Sequence, residues 1–434
     1  MSEDRDFAIE FDWMESNSAD EISKNFSAAI GLSLNGQYLT RVEDFEAKTN
    51  RDCVRASAWQ LALWFAANWW RLRWEPETKN SRQNPDWCVS HSIAGAGGGY
   101  IWPNAFFISD GNDIGVSITP QNRAPAFETI RYMNAVSGRV SAREFENKAG
   151  QFINAVLSRA GSIKTKDSAL PDLWNEIQNE RRNPALAYQR KMEALAGYDP
   201  DNAPESLLRL LLEDVPPFGK TALEEIAADA RENTEAAIAS MRKITKGGAT
   251  ITMPEADMPI PETGEPWRQG ELLAQGLRAK LGRTPGRMDN KTLAGILEAR
   301  PDFLANGSTS DAWMPFARRD DAPNTYQFFT NKKHSRSKRF ALARVMADHL
   351  AFKNKEALRP ATDTGTHRQK LQRAFAQEFL CPSRELIEMV GANATDDETI
   401  NDAADYFDVS PQLVTTTLVN KGMLDRERLN TFGN

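Results

Sequence analysis

Between Ala56 and Arg73 apolar residues cover almost every side of a helix, with Trp59, Leu63, Trp70 and Trp74 on one stripe and Leu61, Trp64 and Phe65 beside it. A helix without a polar face is normally buried, so this segment predicts the centre of a core. Upstream, AAIGLSLNGQYLTRV (28–42) alternates around Asn35-Gly36, the strongest short hairpin signal. Downstream, YIWPNAFFIS and IGVSIT read as short strands with Asp110-Gly111 between them. Eight of the eleven tryptophans precede residue 103, which gives residues 1–140 the texture of a separate Trp-rich mixed domain.

From Ser141 the period changes to helical. SAREFENKAGQFINAVLSRA opens with a serine capping pattern, and LPDLWNEIQNERR, PALAYQRKMEALAG and 221–243 continue the helical spacing, giving a helical region over 141–245. Residues 246–266 carry four prolines and three glycines and read as a linker. A third, mainly helical region follows over 267–425 and closes with helix-turn-helix texture: ETINDAADYF, a short turn, Ser410 as N-cap and Pro411 in the first turn. The fold class expected is therefore α+β.

Length and composition narrow this picture. A chain of 434 residues exceeds one ordinary core, and 41% apolar with 26% charged residues fits a globular protein. No run of eighteen apolar residues predicts a membrane helix, and the opening MSEDRDFAIEFDW is acidic without a signal-like apolar stretch. Cys53, Cys88 and Cys381 lie far apart, which suits unpaired thiols in a reducing cytoplasm. The net charge of −7 argues against wholesale coating by nucleic acid.

One local exception stands out. Residues 331–373 hold twelve Lys or Arg against three acidic residues, and NKKHSRSKR opens the stretch. Lys332, Lys333, Arg336, Lys338 and Arg339 are its candidate contacts to nucleic acid or an acidic partner, and a solvated helix face is the alternative. Other motifs are weaker. In HSIAGAGGGYIWP (91–103) the glycines are followed by the strand-like YIWP rather than a helix, so they read as a loop or close backbone crossing, and Phe218-Gly219-Lys220-Thr221 has Asp214 where a P-loop would begin with glycine, so it reads as a helix start. Trp69-Trp70-Arg71-Leu72-Arg73-Trp74 reads as packing, with base stacking as the alternative.

RFALARVMADHL (339–350) and QRAFAQEFLCP (372–382), preceded by PWRQGELLAQGLRAKLG and followed by ETINDAADYFDVSPQLVTTTLVNKGML, carry a family resemblance. In order and spacing residues 266–425 resemble the ImmA/IrrE metallopeptidases, which implies a zincin-like domain. In that family the first helix carries H-E-x-x-H and the second a glutamate as third metal ligand. On this alignment the two histidine positions hold Arg344 and Asp348, the general-base position holds Val345, and the third ligand position holds Gln369. An arginine donates no lone pair to zinc, and a valine neither accepts a proton nor orients water. His349 lies about 100° round the helix from Asp348 and does not restore the register.

The resemblance therefore implies a peptidase shell without catalysis and without a cofactor. Such a chain would be a bacterial regulator or sensor of a mobile-element, stress-response or phage-defence setting, binding a protein such as a helix-turn-helix repressor. Arg344 and Asp348, at i and i+4, are expected to pair across the old metal position. Two alternatives are a zinc endopeptidase with ligands displaced to His334, His349 or His367, and nucleic-acid binding through 331–373.

Overall fold

The computed structural model describes residues 6–120, 129–212, 218–244, 248–255, 264–283, 286–305, 310–352, 356–391 and 394–432. The chain forms two compact units, 1–212 with 364–366, and 213–363 with 367–434.

The first unit opens with β1 (Phe7–Trp13), α1 (Glu21–Asn25), β2 (Ser27–Leu34), β3 (Gln37–Tyr38), β4 (Val42–Asp44), β5 (Thr49–Arg51) and β6 (Val54–Ser57). It continues through α2 (Ala58–Ala67), α3 (Trp69–Trp74), α4 (Pro85–His91), β7 (Ala105–Ser109), β8 (Asp113–Ile118), β9 (Ile130–Tyr132) and β10 (Val136–Ser141). Four helices close it: α5 (Ala142–Ile163), α6 (Ala169–Arg182), α7 (Pro184–Leu195) and α8 (Glu205–Leu212). The strands form small antiparallel sheets, in which β2 pairs with β1, β3 and β6, β8 joins β7 to β10, and β4 joins β5 to β9.

Local chemistry explains several of these elements. Asn35 and Gly36 both adopt positive φ, 51° and 74°, as the tight turn between β2 and β3 requires. The Ser141 side chain accepts the Glu144 N–H at the start of α5, so the capping pattern holds. The single helix expected over 56–73 is instead α2 and α3, interrupted at Asn68, whose side chain donates to the Trp64 carbonyl at 2.9 Å. A short amide that bonds the preceding turn competes with helix continuation. The strand expected from Tyr100 begins only at Ala105. The segment before it is tied down by Trp102 Nε1 donating to Gly97 O at 2.9 Å and by Tyr132 Oη donating to Ile101 O at 2.7 Å.

The core of this unit is aromatic. The Phe107 ring lies 5.7 Å from Phe7, 6.1 Å from Phe65 and 5.4 Å from Phe145. The 69–74 tryptophans pack within the unit: Trp69 meets Trp174 edge-on, Trp70 Nε1 donates to Glu180 at 2.7 Å, and the partly buried Trp74 ring has the Arg73 guanidinium at 3.7 Å and the Lys191 ammonium at 4.4 Å. Their rings are thus occupied by protein. Beside them is a buried polar cluster. Arg71 Nε donates to Glu75 Oε2 at 2.6 Å, His91 Nε2 lies 3.1 Å from the same oxygen, and His91 Nδ1 faces the Phe107 carbonyl at 2.9 Å. Burial alone would raise the Glu75 carboxyl, but His91 and Arg71 outweigh it and hold the group at about 2.

The second unit begins with α9 (Lys220–Ala230), α10 (Thr234–Lys243), β11 (Ala249–Thr252), α11 (Pro266–Lys280) and α12 (Asn290–Ile296). It proceeds through β12 (Phe316–Arg319), β13 (Thr325–Phe329), α13 (Ser335–Ala351), β14 (Leu358–Pro360) and α14 (His367–Leu380). The end is helical, with α15 (Ser383–Val390), α16 (Asp397–Phe407) and α17 (Pro411–Asn420). Its antiparallel sheet runs β11-β13-β12-β14. The stretch read as a linker thus supplies β11, paired along β13 from Ala249↔Phe328 to Thr252↔Thr325, and residues 246–247 and 256–263 of it lie outside the described residues.

Helix α13 is buried on nearly every side, with Leu342, Val345 and Met346 fully enclosed. Each such side chain contributes roughly 1.5–3 kcal/mol of burial. Leu342, Leu350, Phe375, Phe379 and Leu380 are buried, and Phe340 packs partly buried against them. Helix α11 crosses α14 at Gly270, where a Cβ would lie 2.4 Å from the Leu371 carbonyl oxygen. Among the described residues no helix is long and apolar enough to cross a membrane.

Candidate functional site

Burying α13 all round places Arg344 and Asp348 inside the second unit, 5% and 0% exposed. A buried charge requires a partner and saturated hydrogen bonds. The i,i+4 pair expected between these two side chains does not form; each bonds other groups, with unequal success. Arg344 Nη2 donates to the Thr362 carbonyl and to Gln369 Oε1, the latter at 2.6 Å, and its nearest carboxylate is that of Asp363, 3.7 Å from Nη1. Burial, and after it the repulsion of Arg373, pulls the Arg344 guanidinium down to about 9. Among the described residues its Nε is buried without a hydrogen bond.

Asp348 is the better-matched member. Its Oδ1 accepts from Arg368 Nε at 2.5 Å and Gln372 Nε2 at 2.9 Å, and its Oδ2 accepts from Arg368 Nη2 at 2.7 Å and Arg359 Nη1 at 2.9 Å. Burial would raise this carboxyl, but Arg368 and then Arg359, with the Gln372 bond, keep it below its ordinary value. Arg368 faces the same contest from the other side. Desolvation disfavours its charge, Asp348 overcomes that, and its pKa ends raised. The same guanidinium also reaches α9, with Nη1 donating to Thr221 Oγ1 at 2.7 Å. Thr221 donates its backbone N–H and hydroxyl to Glu356, and Gly219, at φ 90°, precedes the helix, so Phe218–Thr221 is a helix start as read.

A polar chain leads from this carboxylate to His349. Arg359 Nε donates to Tyr326 Oη at 3.2 Å, and Tyr326 Oη lies 3.2 Å from His349 Nδ1. A guanidinium only donates, so the tyrosine oxygen accepts there and keeps its own proton for a further bond. With that proton directed to Nδ1, the neutral His349 ring carries its proton on Nε2. Burial, followed by repulsion from Arg359, lowers its pKa to about 4.

These bonds decide whether zinc suits the positions aligned with a peptidase site. Gln369 Oε1 accepts from Arg344 Nη2 and from the Thr362 N–H at 3.0 Å, so both its lone pairs are used. All four acceptor directions of Asp348 are likewise taken. Arg344 has no lone pair, and Val345 is a fully buried hydrocarbon. The residues do not fit the metal. Of the histidines proposed as displaced ligands, His349 has its Nδ1 engaged by Tyr326, His367 Nε2 lies 3.0 Å from Gln269 Oε1, and His334 is the exposed N-cap residue of α13. Among the described residues no three His, Cys, Asp or Glu are grouped as metal ligands.

The basic candidates divide sharply. Arg339 is fully buried and donates to Asn290 Oδ1 at 2.8 Å and to the Met288 carbonyl, with Asp408 at 3.2 Å. Lys338 is buried and its ammonium donates to the Phe303 and Ala305 carbonyls. Arg336 pairs with Asp405 at 2.5 Å and Asp408 at 3.3 Å. Lys333 is exposed and Lys332 half-exposed, while Lys353 and Lys355 lie outside the described residues.

The helix-turn-helix element has the expected caps, with Asp408 left-handed after α16 and Ser410 accepting from the Leu413 N–H. Its second helix, however, is turned inward. Thr415 and Thr417 are buried, and Thr415, Thr416 and Thr417 bond carbonyls four residues back.

Sequence reasoning missed Arg359, Arg368, Gln372 and Tyr326, which complete the Asp348 cluster. No family model, curated protein or solved structure matches this chain.

Proposed function

We propose that the second unit is a non-catalytic, ImmA/IrrE-like domain of a bacterial regulator or sensor, acting by binding a protein such as a helix-turn-helix repressor. The observation that carries this reading is the saturation of Asp348 and Gln369 by arginine and backbone donors at the positions the resemblance assigns to metal ligands. A hydrolytic zinc site needs open lone pairs and a base beside the bound water. Here the same two helices instead hold a closed ionic network. The element order lends further support: the four segments that carry the resemblance fold, in their order along the chain, as the helices α11, α13, α14 and the pair α16 and α17.

The test uses the full chain and a helix-turn-helix repressor encoded beside its gene. Mixed at equimolar concentration with added zinc, the two are expected to elute as one complex in which mass spectrometry finds the repressor intact. Cleavage of the repressor would contradict the non-catalytic reading. Separate elution at micromolar concentration would contradict the proposed partner class.

A further inference from the structure

The two basic residues that stay at the surface before α13 are joined by a second basic segment. Buried Arg339 bonds Asn290 Oδ1 and the Met288 carbonyl, and Asn290 Nδ2 donates to Ser335 Oγ at 3.1 Å. These bonds fasten residues 287–291 beside the first turn of α13. Arg287 and Lys291 are exposed on that segment, and Lys332 and Lys333 lead into the helix. None of the four has an ion pair among the described residues. The nearby acids are already engaged: Asp289 accepts the Thr292 N–H at 2.8 Å, and Asp405 and Asp408 hold Arg336. The fold therefore uses Arg336, Lys338 and Arg339 internally while presenting four other cations from two anchored segments.

We propose that Arg287, Lys291, Lys332 and Lys333 form a surface that contacts the phosphate backbone of duplex nucleic acid without reading its sequence. Lysines and arginines spread over two fixed segments suit successive phosphates. Neither 287–291 nor 331–335 contains Trp, Tyr or Phe, and the exposed Trp313 beside them, whose carbonyl accepts from Asn331 at 2.8 Å, is a single ring rather than a run of stacking platforms. The helix that would enter a groove, α17, has its threonines turned onto its own carbonyls. The contact is thus electrostatic and positional. It is independent of the peptidase-like reading, because none of the four residues belongs to the Asp348 network.

The experiment is fluorescence anisotropy of a labelled 30-base-pair DNA duplex titrated with the full chain at several salt concentrations. Four phosphate contacts predict a log affinity against log salt slope of about −3 to −4. Lys333→Glu and Lys291→Glu should each weaken binding about tenfold and flatten the slope by roughly one unit. Arg384→Glu, at an exposed residue that pairs with Glu388, should leave binding unchanged. Circular dichroism of the variants checks that they fold, as expected for exposed side chains. No binding at 50 mM salt, an equal loss with Arg384→Glu, or tighter binding of polyglutamate than of DNA would each overturn the proposal.

Discussion

Arg368 grips both carboxylate oxygens of Asp348, Nε at 2.5 Å from Oδ1 and Nη2 at 2.7 Å from Oδ2, and both residues are buried. The fork supplies two parallel charge-assisted bonds, and Arg359 and Gln372 fill the remaining directions. Arg344, one turn earlier on α13, has no comparable acid: its closest carboxylate is 3.7 Å away on an exposed aspartate. The two buried charges on α13 are therefore unequal in what they contribute.

That inequality is measurable by denaturant unfolding. Asp348→Asn leaves two buried guanidiniums without their carboxylate and should cost about 3–5 kcal/mol. Arg344→Met removes a poorly paired buried charge at similar volume, while Gln369 Oε1 keeps its bond from the Thr362 N–H. Its cost should stay below about 1.5 kcal/mol. Equal losses for the two variants would mean that Arg344 is as well satisfied as Asp348.

Acid should weaken both units. The depressed Asp348 carboxyl contributes stability that is fully present above the unfolded aspartate range and is lost as pH falls through its folded value. Glu75 does the same in the first unit, with its loss spanning its ordinary value of 4.5 down to about 2. His349 adds to this trend, because between pH 6.5 and about 4 the unfolded chain binds a proton there that the folded chain does not. Unfolding free energy measured from pH 7 to pH 3 should fall monotonically. Glu75→Gln should flatten the part of the curve below pH 4.5.

The hydrogen-bond polarity at His349 gives a spectroscopic prediction. Nitrogen-15 shifts at pH 7 should show Nδ1 unprotonated and Nε2 protonated, and Tyr326→Phe should remove the tautomer preference. The ring should titrate with a midpoint of about 4. A midpoint near 6.5 would mean that Arg359 and burial do not act on this ring.

Two helix glycines should respond oppositely to the same substitution. Gly295, in α12, has open space where a Cβ would point, so Gly295→Ala should gain about 0.5–1 kcal/mol through helix propensity. At Gly270 the added Cβ would sit 2.4 Å from Leu371 O and 2.8 Å from Phe375 N, both backbone atoms of α14. Gly270→Ala should therefore lower the melting temperature by several degrees, since about 1–3 kcal/mol of overpacking strain exceeds the helix gain.

Local rules made much of the fold legible. Asn35-Gly36 announces its turn, Ser141 and Ser410 announce their helices, and the all-round apolar run over 56–73 announces burial. The same rules failed where side chains settled matters. Asn68 breaks a continuous apolar run, and the Pro/Gly-rich 246–266 still contributes a strand because β13 offers it a partner. Within the candidate site, spacing suggested an Arg344–Asp348 pair, whereas Asp348 is claimed by arginines eleven and twenty residues away. No helical periodicity connects those positions; only the packing of α14 and β14 on α13 does. Likewise a count of basic residues does not distinguish buried Arg339 from exposed Lys333.

A closed ionic network and a working metal site differ in one property, whether the positions aligned with metal ligands have lone pairs to give. Isothermal titration of the purified, chelator-stripped chain with zinc, read together with the metal content of the untreated protein, tests this directly. We predict less than about 0.1 zinc per chain, far below the full occupancy that structural and catalytic zinc affinities produce. The titration should be the same for wild type and Asp348→Asn. One tightly bound zinc per chain, lost in Asp348→Asn and accompanied by peptide cleavage, would contradict it.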